Sequence, residues 1–381
     1  MSVLRLSKRD EILVWAHAGG RCEYPGCNDL LWRDALVGQV MNRAYLAHIV
    51  GERGPRAEPG TSEALARDPD NIMLLCDTHH RLIDREGEAE HSADALRRAK
   101  RHHEDRIERL TAIQAQHKTH ILLFGSRIQD HSGLVCFDQA RNAVAAAGRY
   151  PVTERGIRID LADAPLDDAD PGYYELVEAH VQQTLARTVA DGIGPTGHPI
   201  NHLSVFALAT IPALVAFGKA LGDIVAADIY QRHRGPEDWT WTGTVPDGFD
   251  FHVRAPDDIA PTVPEHVAVS ISVTAPVSDR SIEAALGTPT PVYELSVPLE
   301  THSPTVIESP DQVELFSSRW RALLTRIKRD HGPDCSISLF PAVPVSIAVQ
   351  LGRVLLPKAD PPIRVYDYRR DDGGFRYALT V

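Results

Sequence analysis

Two segments of this sequence share a pattern that decides the fold of its C-terminal part. Residues 204–221 read SVFALATIPALVAFGKAL, and residues 338–355 read SLFPAVPVSIAVQLGRVL. At a constant offset of 134 residues, Ser204, Phe206, Gly218 and Leu221 match Ser338, Phe340, Gly352 and Leu355. Each copy predicts a buried strand, a tight loop, and an amphipathic helix with a basic residue after a glycine. Such strand–helix units build parallel sheets, so we expect two Rossmann-like halves, at about 118–255 and 256–381.

Two further segments are predicted to complete these halves. HILLFGSRI at 120–128 and AVSISVTAPVSDRSI at 268–282 each predict a buried strand that runs into a loop. Because open parallel sheets bind ligands beyond the carboxyl ends of their strands, the contacts are expected there. The candidates are Gly125, Ser126, Arg127, Thr210, Thr274, Pro276, Pro341 and Pro344. Two halves facing one cleft suit a ligand with an approximate two-fold axis, such as a cyclic dinucleotide. A duplication that only enlarges the core is the alternative.

Composition is that of an ordinary globular protein. The chain has 381 residues, 43% hydrophobic and 24% charged, and predicts two or three domains. Its start, MSVLRLSKRD, lacks the apolar core of a signal peptide, so we expect a cytoplasmic protein. Pro212 and Lys219 interrupt the most apolar segment, Leu203 to Asp223, which favours a strand and a helix over a membrane span. No membrane partner is expected.

The charge is unevenly distributed. The net charge of −12 by itself argues against a nucleic-acid partner. Up to residue 110, however, 17 Lys and Arg stand against 19 Asp and Glu, whereas the remainder has 23 against 33. The near-neutral part contains a basic run at Arg97, Arg98, Lys100 and Arg101. Contact with DNA phosphates depends on such local clusters, although a solvated helix face explains this run equally well.

The cysteines indicate a metal site. Three of the five, Cys22, Cys27 and Cys76, lie in the first fifth of the chain, a clustering that favours metal binding over a disulfide framework. The spacings Cys22-x4-Cys27 and Cys76-x2-His79 supply three thiolates and one imidazole. This is a closed tetrahedral set for structural Zn²⁺, and zinc binding would contribute directly to the folding of a small region.

Three more residues surround this zinc knuckle: His48 in LAHIVG, Asn71 in PDNIMLL, and His80 beside His79. Their order resembles the HNH (ββα-metal) endonucleases over about residues 12–90. The resemblance implies an α+β ββα-metal domain with a zinc knuckle at 1–91. A linker helix at 92–117, beginning at Ser92, would follow it.

The resemblance implies a one-metal nuclease. His48 would be the general base that takes a proton from the attacking water. Asn71 would orient His48 or the metal through its amide oxygen. Asn71 and His80 would hold a catalytic divalent ion, for which Mg²⁺ is the first candidate. Many members of the superfamily place Asp or His before the base, where this chain has Ala47, so the other ligands of the ion stay open. On a helix, neighbouring side chains point about 100° apart, so His79 can face the cysteines while His80 faces the phosphate.

The C-terminal part also has relatives. LFPAVPVSIAVQLGRVLLPKADPPIRVYD, at 339–367, resembles the SAVED sensor module, a fusion of two CARF-like Rossmann units that bind cyclic oligonucleotides. This resemblance covers about residues 118–381 and implies an α/β sensor domain. HNH followed by SAVED is the architecture of effector nucleases in the CBASS antiphage system.

Together, the two resemblances imply a DNA endonuclease that a cyclic oligonucleotide activates and that degrades double-stranded DNA. A GA-type cyclic dinucleotide is the first candidate ligand, and a homo-oligomer is expected, dimeric and of higher order on ligand binding. One alternative is a modification-dependent HNH restriction endonuclease. The acidic C-terminal part disfavours it, because a domain that recognises modified DNA is expected to be basic. The other is a non-enzymatic zinc-dependent DNA-binding regulator that senses a nucleotide, which would need neither His48 nor Asn71.

Overall fold

The structure is a computed structural model. It describes residues 6–51, 56–57, 65–86, 90–128, 131–132, 134–161, 164–189, 192, 194, 197–235, 237–256, 266–369 and 372–381. The chain divides into two compact units, Met1–Gln114 and Ala115–Val381. Across the described residues, no helix combines the length and the apolar character that crossing a bilayer requires.

The first unit is built on a small two-stranded sheet. Its elements are α1 (Lys8–His17), β1 (Tyr45–His48), β2 (Ile72–Leu75), α2 (Asp77–Arg81) and α3 (Ala93–Thr111). β1 and β2 pair antiparallel, from Tyr45↔Leu75 to His48↔Ile72, and α2 follows β2 after one residue. The hydroxyl of Ser7 caps α1 and that of Ser92 caps α3, because each accepts a hydrogen bond from an otherwise unpaired amide of the first turn.

The helix α3 packs on the first unit through one face. Leu96, Lys100 and His103 are its buried residues, and His103 Nε2 lies 3.0 Å from the carbonyl oxygen of Ala18. Lys100 is 4% exposed and forms an ion pair with Glu104 at 2.6 Å. The basic run therefore does not form one continuous exposed patch, because its Lys100 is turned into the core.

The second unit contains two sheets, of which the first spans about residues 118–229. Its elements are β3 (Lys118–Ile128), β4 (His131–Ser132), α4 (Phe137–Ala146), β5 (Tyr150–Pro151), β6 (Ile157–Leu161), α5 (Tyr173–Thr188), β7 (His202–Leu208), α6 (Ile211–Leu221) and β8 (Ala226–Ile229). β3, β6, β7 and β8 are parallel, in the order β6-β3-β7-β8. The apolar segment at Leu203 to Asp223 is thus a buried strand followed by a helix, as predicted.

The second sheet repeats this arrangement. Its elements are β9 (His252–Arg254), β10 (His266–Ser272), α7 (Asp279–Leu286), β11 (Val292–Ser296), α8 (Pro310–His331), β12 (Ser336–Ala342), α9 (Val345–Arg353), β13 (Ile363–Arg369) and β14 (Gly374–Thr380). The parallel strands lie in the order β11-β10-β12-β13, with β9 and β14 antiparallel at the edges. The predicted α/β fold is confirmed. The boundary between the halves differs from the expected one at residue 256, because β9 precedes that residue and belongs to the second sheet.

The two copies meet where α6 crosses α9. A Cβ atom on Gly218 would overlap the carbonyl oxygen of Val349, and a Cβ atom on Gly352 would overlap that of Val215. Both pairs are related by the 134-residue offset of the sequence repeat. The repeated glycine therefore serves close helix packing, and it places the two halves around an approximate two-fold axis.

Candidate functional site

The four predicted zinc ligands converge in the first unit. Cys22 and Cys27 flank a turn after α1, Cys76 is the N-cap of α2, and His79 lies on α2. Their ligand atoms all lie within 4.8 Å of one another. His79 Nδ1 is 3.1 Å from Cys76 Sγ and 3.6 Å from Cys22 Sγ. Within the described ranges, this is the one group of three or more His, Cys, Asp or Glu side chains with that geometry.

The chemistry of this cluster fits Zn²⁺. Burial lowers the pKa of His79, so the imidazole is held in the neutral form that binds metals. Three sulfurs and one imidazole nitrogen at these distances match a structural zinc set, in which no position is left open for water. The Tyr24 ring stacks on His79, with centroids 4.1 Å apart and planes inclined by 8°, and this contact fixes the orientation of the imidazole.

His48 lies at the end of β1, where the sheet opens into a loop. It pairs with Ile72 of β2, and its Nε2 atom is 3.2 Å from the carbonyl oxygen of Ala66. Side chains alternate along a strand, so Ala47 points to the opposite face from His48. Ala47 is 2% exposed and contributes no ligand atom.

The side-chain amide of Asn71 is hydrogen-bonded to backbone groups. Its Oδ1 accepts from the Val50 amide at 2.9 Å, and its Nδ2 donates to the carbonyl oxygens of Val50 at 3.0 Å and Leu65 at 3.2 Å. The side chain is 3% exposed. These bonds fix the segment that follows His48. The amide oxygen, to which the resemblance gives the role of orienting His48 or the metal, accepts the hydrogen bond of the Val50 amide.

His80 points away from the cysteine cluster. Its ring stacks on Tyr45, with centroids 4.7 Å apart, and its Nε2 atom is 3.2 Å from Asp84 Oδ2. The hydrogen bond from His80 is the main reason why the pKa of Asp84 is lowered. Among the described residues, no hydrogen bond or ion pair joins His48, Asn71 and His80 to one another.

Asp84 and Arg56 lie beside these residues and are not among those predicted from the sequence. Arg56 donates from Nε to the carbonyl oxygen of Ile49 at 3.0 Å, from one terminal nitrogen to that of Ile83 at 2.6 Å, and from the other to Asp84 Oδ1 at 2.8 Å. It thereby ties the residue after His48 to the segment after α2. Asp84 stands four residues after His80, a helical spacing that the sequence offered as a signal.

Three of the predicted sensor contacts lie inside a strand. Gly125, Ser126 and Arg127 belong to β3 and not to a loop after it, because β6 and β4 continue the pairing at Ser126 and Arg127. Ser126 is fully buried, and its Oγ accepts a hydrogen bond from the Tyr173 hydroxyl at 3.0 Å. The Arg127 guanidinium forms an ion pair with Asp167 at 2.6 Å.

The remaining predicted contacts lie at or near the carboxyl ends of β7, β10 and β12. Thr210 is the N-cap of α6 and Pro344 that of α9, while Thr274 and the exposed Pro276 follow β10. The Thr274 amide donates to the Ala342 carbonyl at 2.9 Å, so β10 and β12 end side by side. Pro341 differs from the prediction, since it lies within β12 opposite Ile271 and is buried.

The same edge of the first sheet carries a buried polar group that the sequence did not indicate. The Tyr174 hydroxyl lies 3.4 Å from Asp367 Oδ2, which links α5 of one half to β13 of the other. Burial raises the pKa of Asp367 to about 6. The buried Thr210 hydroxyl lies within hydrogen-bonding reach of the Tyr174 hydroxyl. This edge therefore gathers hydroxyl and carboxyl groups from both halves.

Comparisons with known proteins identify the second unit. The profile of a family described as "SMODS-associated and fused to various effectors sensor domain" (SAVED) matches residues 177–381. A Cap4 SAVED/CARF-domain receptor from Acinetobacter baumannii, solved with the cyclic trinucleotide 2'3'3'-cAAA, is 13% identical over 85% of this chain and 67% of that chain, with a TM-score of 0.42. The Moraxella osloensis Cap4 receptor is 11% identical over 85% and 66%, with a TM-score of 0.40. Curated proteins gave no match. Because the sensor profile covers more than half of the chain, the chain belongs to the SAVED family.

Proposed function

We propose that this protein is a metal-dependent DNA endonuclease that a cyclic oligonucleotide activates. One observation carries the proposal: a SAVED sensor domain follows a β–β–α frame with a zinc knuckle, in which His48 ends a strand and His80 lies on the helix. The sensor family accounts for ligand binding, and the HNH-like residues account for cleavage. Antiphage defence of the CBASS type is the biological setting that we infer for this combination.

In the nuclease unit, His48 is the general base. A neutral imidazole has a pKa near neutrality, as a base that deprotonates water requires. The bonds of Asn71 to the Val50 backbone and of Arg56 to the Ile49 carbonyl hold the loop beside this base. A rigid loop keeps the imidazole in the line of attack, and misplacement by about 1 Å can lower a rate about 100-fold.

His80 and Asp84 are the residues that would hold the catalytic ion. They supply one imidazole nitrogen and one carboxylate oxygen 3.2 Å apart, and Mg²⁺ is often bound through one or two protein ligands with water and substrate phosphate completing the shell. The ion would stabilise negative charge on the scissile phosphate and the leaving oxygen. Tyr45 stacks on His80 and orients its ring, and Arg56 holds Asp84.

The sensor unit would bind the cyclic oligonucleotide across the carboxyl ends of its parallel strands. The pseudo-symmetric halves present hydroxyl and carboxyl groups from both copies there, among them Thr210, Thr274 and Asp367. We retain a GA-type cyclic dinucleotide as the first ligand to test, with cyclic trinucleotides beside it. Activation requires that the ligand bind the active, more highly associated state better than the resting one.

A plasmid assay tests the proposal. Purified protein is incubated with supercoiled plasmid and Mg²⁺, with and without a panel of cyclic di- and trinucleotides. We expect cutting only when one of the nucleotides is present. Cutting without any nucleotide would favour the modification-dependent restriction endonuclease, and an absence of cutting under every condition would favour the non-enzymatic regulator.

A further inference from the structure

The first unit contains a hairpin at residues 31–43 whose apolar side chains face water. Its two arms are joined by an antiparallel bridge between Arg33 and Val40. Leu36, at the turn, is 93% exposed. Contiguous exposed apolar groups on a folded protein mark a surface that contacts a partner. The exposed apolar side chains of the hairpin are those of Trp32, Leu36, Val37, Val40 and Met41.

The shape of this hairpin is fixed at both ends. At the turn, the Asp34 carboxylate accepts hydrogen bonds from the amides of Leu36 and Val37, at 2.9 Å each. At the base, Leu31 is fully buried, and its amide donates to the Gly20 carbonyl at 2.9 Å. Because the turn is held in one shape, it loses little conformational entropy when it meets a partner.

The charge of the hairpin favours an anionic partner. Its charged residues are Arg33, Asp34 and Arg43, a net positive charge in a chain whose net charge is −12. The Arg33 guanidinium lies against the turn, since a Cβ atom on Gly38 would be 2.9 Å from one of its terminal nitrogens. An apolar tip beside a guanidinium matches duplex DNA, which accepts apolar side chains between its base steps and cations at its phosphates.

The size and the place of the hairpin also favour DNA over a second copy of this chain. A stable protein interface takes about 20–30 residues from each partner, far more than one hairpin supplies. The hairpin leads directly into β1, which begins at Tyr45, and the Tyr45 ring stacks on His80. From Val37 to Tyr45 the chain spans at most about 30 Å, the length of about nine base pairs. A duplex held at His80 therefore extends to the turn of the hairpin.

We propose that this hairpin is a DNA-binding element that inserts Leu36 between two base pairs from the minor groove while Arg33 binds a neighbouring phosphate. Insertion of an aliphatic side chain partly unstacks a base step and kinks the duplex. These contacts read no base edge, so they add affinity and bending without sequence preference. The inference rests on the proposed function, because it takes double-stranded DNA as the partner of the first unit.

Binding of the full-length chain to a short fluorescent duplex tests the hairpin separately from cutting. The titration is done without Mg²⁺, so that the DNA stays intact, and with the panel of cyclic nucleotides. Leu36→Ser should bind about tenfold more weakly with an unchanged salt dependence, because an apolar contact releases no counterions. Arg33→Gln should lower the slope of log K against log salt concentration by about 1. Ile224→Ser is the matched control, because that side chain is 95% exposed in the second unit, and its affinity should equal that of the parent.

Fluorescence of 2-aminopurine, placed in turn at successive positions of the duplex, measures the insertion itself. The parent should raise this fluorescence by unstacking the base, and Leu36→Ser should not, although its Tm stays that of the parent. If the parent binds and cuts DNA and Leu36→Ser has the same affinity and fluorescence, the hairpin inference is wrong and the nuclease stands. If the parent unstacks DNA through Leu36 but never cuts, the nuclease is wrong and the hairpin inference stands. A parent that binds no duplex would overturn both, and an oligomer that Leu36→Ser dissociates in sedimentation, with DNA affinity unchanged, would assign the hairpin to a second copy of the chain.

Discussion

Replacing Gly218 by alanine should destabilise the sensor unit, and the sign of this effect tests how the two halves pack. Gly218 has an ordinary helical backbone, outside the left-handed region. In a free helix, alanine would therefore be more stable than glycine by about 1 kcal/mol. In this protein, the added Cβ overlaps the carbonyl oxygen of Val349 on α9, and a backbone atom cannot move aside as the end of a flexible side chain can.

Overpacking of a tight core costs about 1–3 kcal/mol, and a backbone obstacle places this site at the upper end of that range. After the gain in helix propensity, we expect a net loss of about 2 kcal/mol, which lowers Tm by about 4–8 °C in a unit of this size. Gly352→Ala should behave alike, since its Cβ overlaps the Val215 carbonyl in the same way.

Differential scanning fluorimetry and urea unfolding of the full-length chain measure this effect. Gly235→Ala is the matched control, because no atom lies within 4 Å of its added Cβ and its backbone is not left-handed. It should leave Tm unchanged within about 1 °C. A Gly218→Ala variant as stable as the parent, or more stable, would refute the close contact of α6 and α9 at this glycine. It would also refute the explanation that the repeated glycine serves helix packing.

Three further predictions concern the zinc knuckle, the nuclease frame and the sensor. Cys76→Ser should lose bound zinc and solubility, whereas His80→Ala should keep both and lose cutting; zinc loss in His80→Ala, seen by elemental analysis, would invalidate the division between the two histidines. Arg56→Lys cannot make three forked bonds, so cutting should fall about 10- to 100-fold while zinc content stays at that of the parent; full activity would argue against a positioning role. Asp367→Asn should be more stable than the parent at pH 8 by about 1–3 kcal/mol and equal to it near pH 4. Burial raises the pKa of this carboxyl to about 6, so its favourable protonated form is lost as pH rises through that value; parallel stability curves in urea titrations from pH 4 to 8 would contradict this.

Local spacing made part of this structure predictable from the sequence. The offset between the copies anticipated two parallel sheets, and the glycine in each copy marks the helix crossing. The Cys and His spacings anticipated the four-residue cluster, because ligands separated by two to four residues share one turn of chain. In both cases the signal is a spacing that can be read along the chain without knowledge of the contacts in the fold.

Other features depend on contacts between distant segments. Ser126 was expected in a loop, but β6 and β4 extend the pairing of β3 and bury it. The hydrogen bonds of Asn71 reach Val50, 21 residues away. Because these partners are distant in sequence, the residues next to Asn71 do not indicate that its amide is bonded to the backbone. Asp367 meets Tyr174 from the other half of the duplicated domain, and a pair 193 residues apart in sequence leaves no pattern to find.

The most direct test of the central proposal compares ligand binding and cutting in the same titration. His48→Ala and the parent are titrated with the activating cyclic nucleotide, and plasmid cutting is followed beside the binding isotherm. We predict that both proteins bind the nucleotide with equal affinity, that only the parent cuts, and that its cutting rises with occupancy. Cutting by the parent at zero nucleotide, or cutting by His48→Ala at saturation, would contradict a sensor-gated nuclease with His48 as its base.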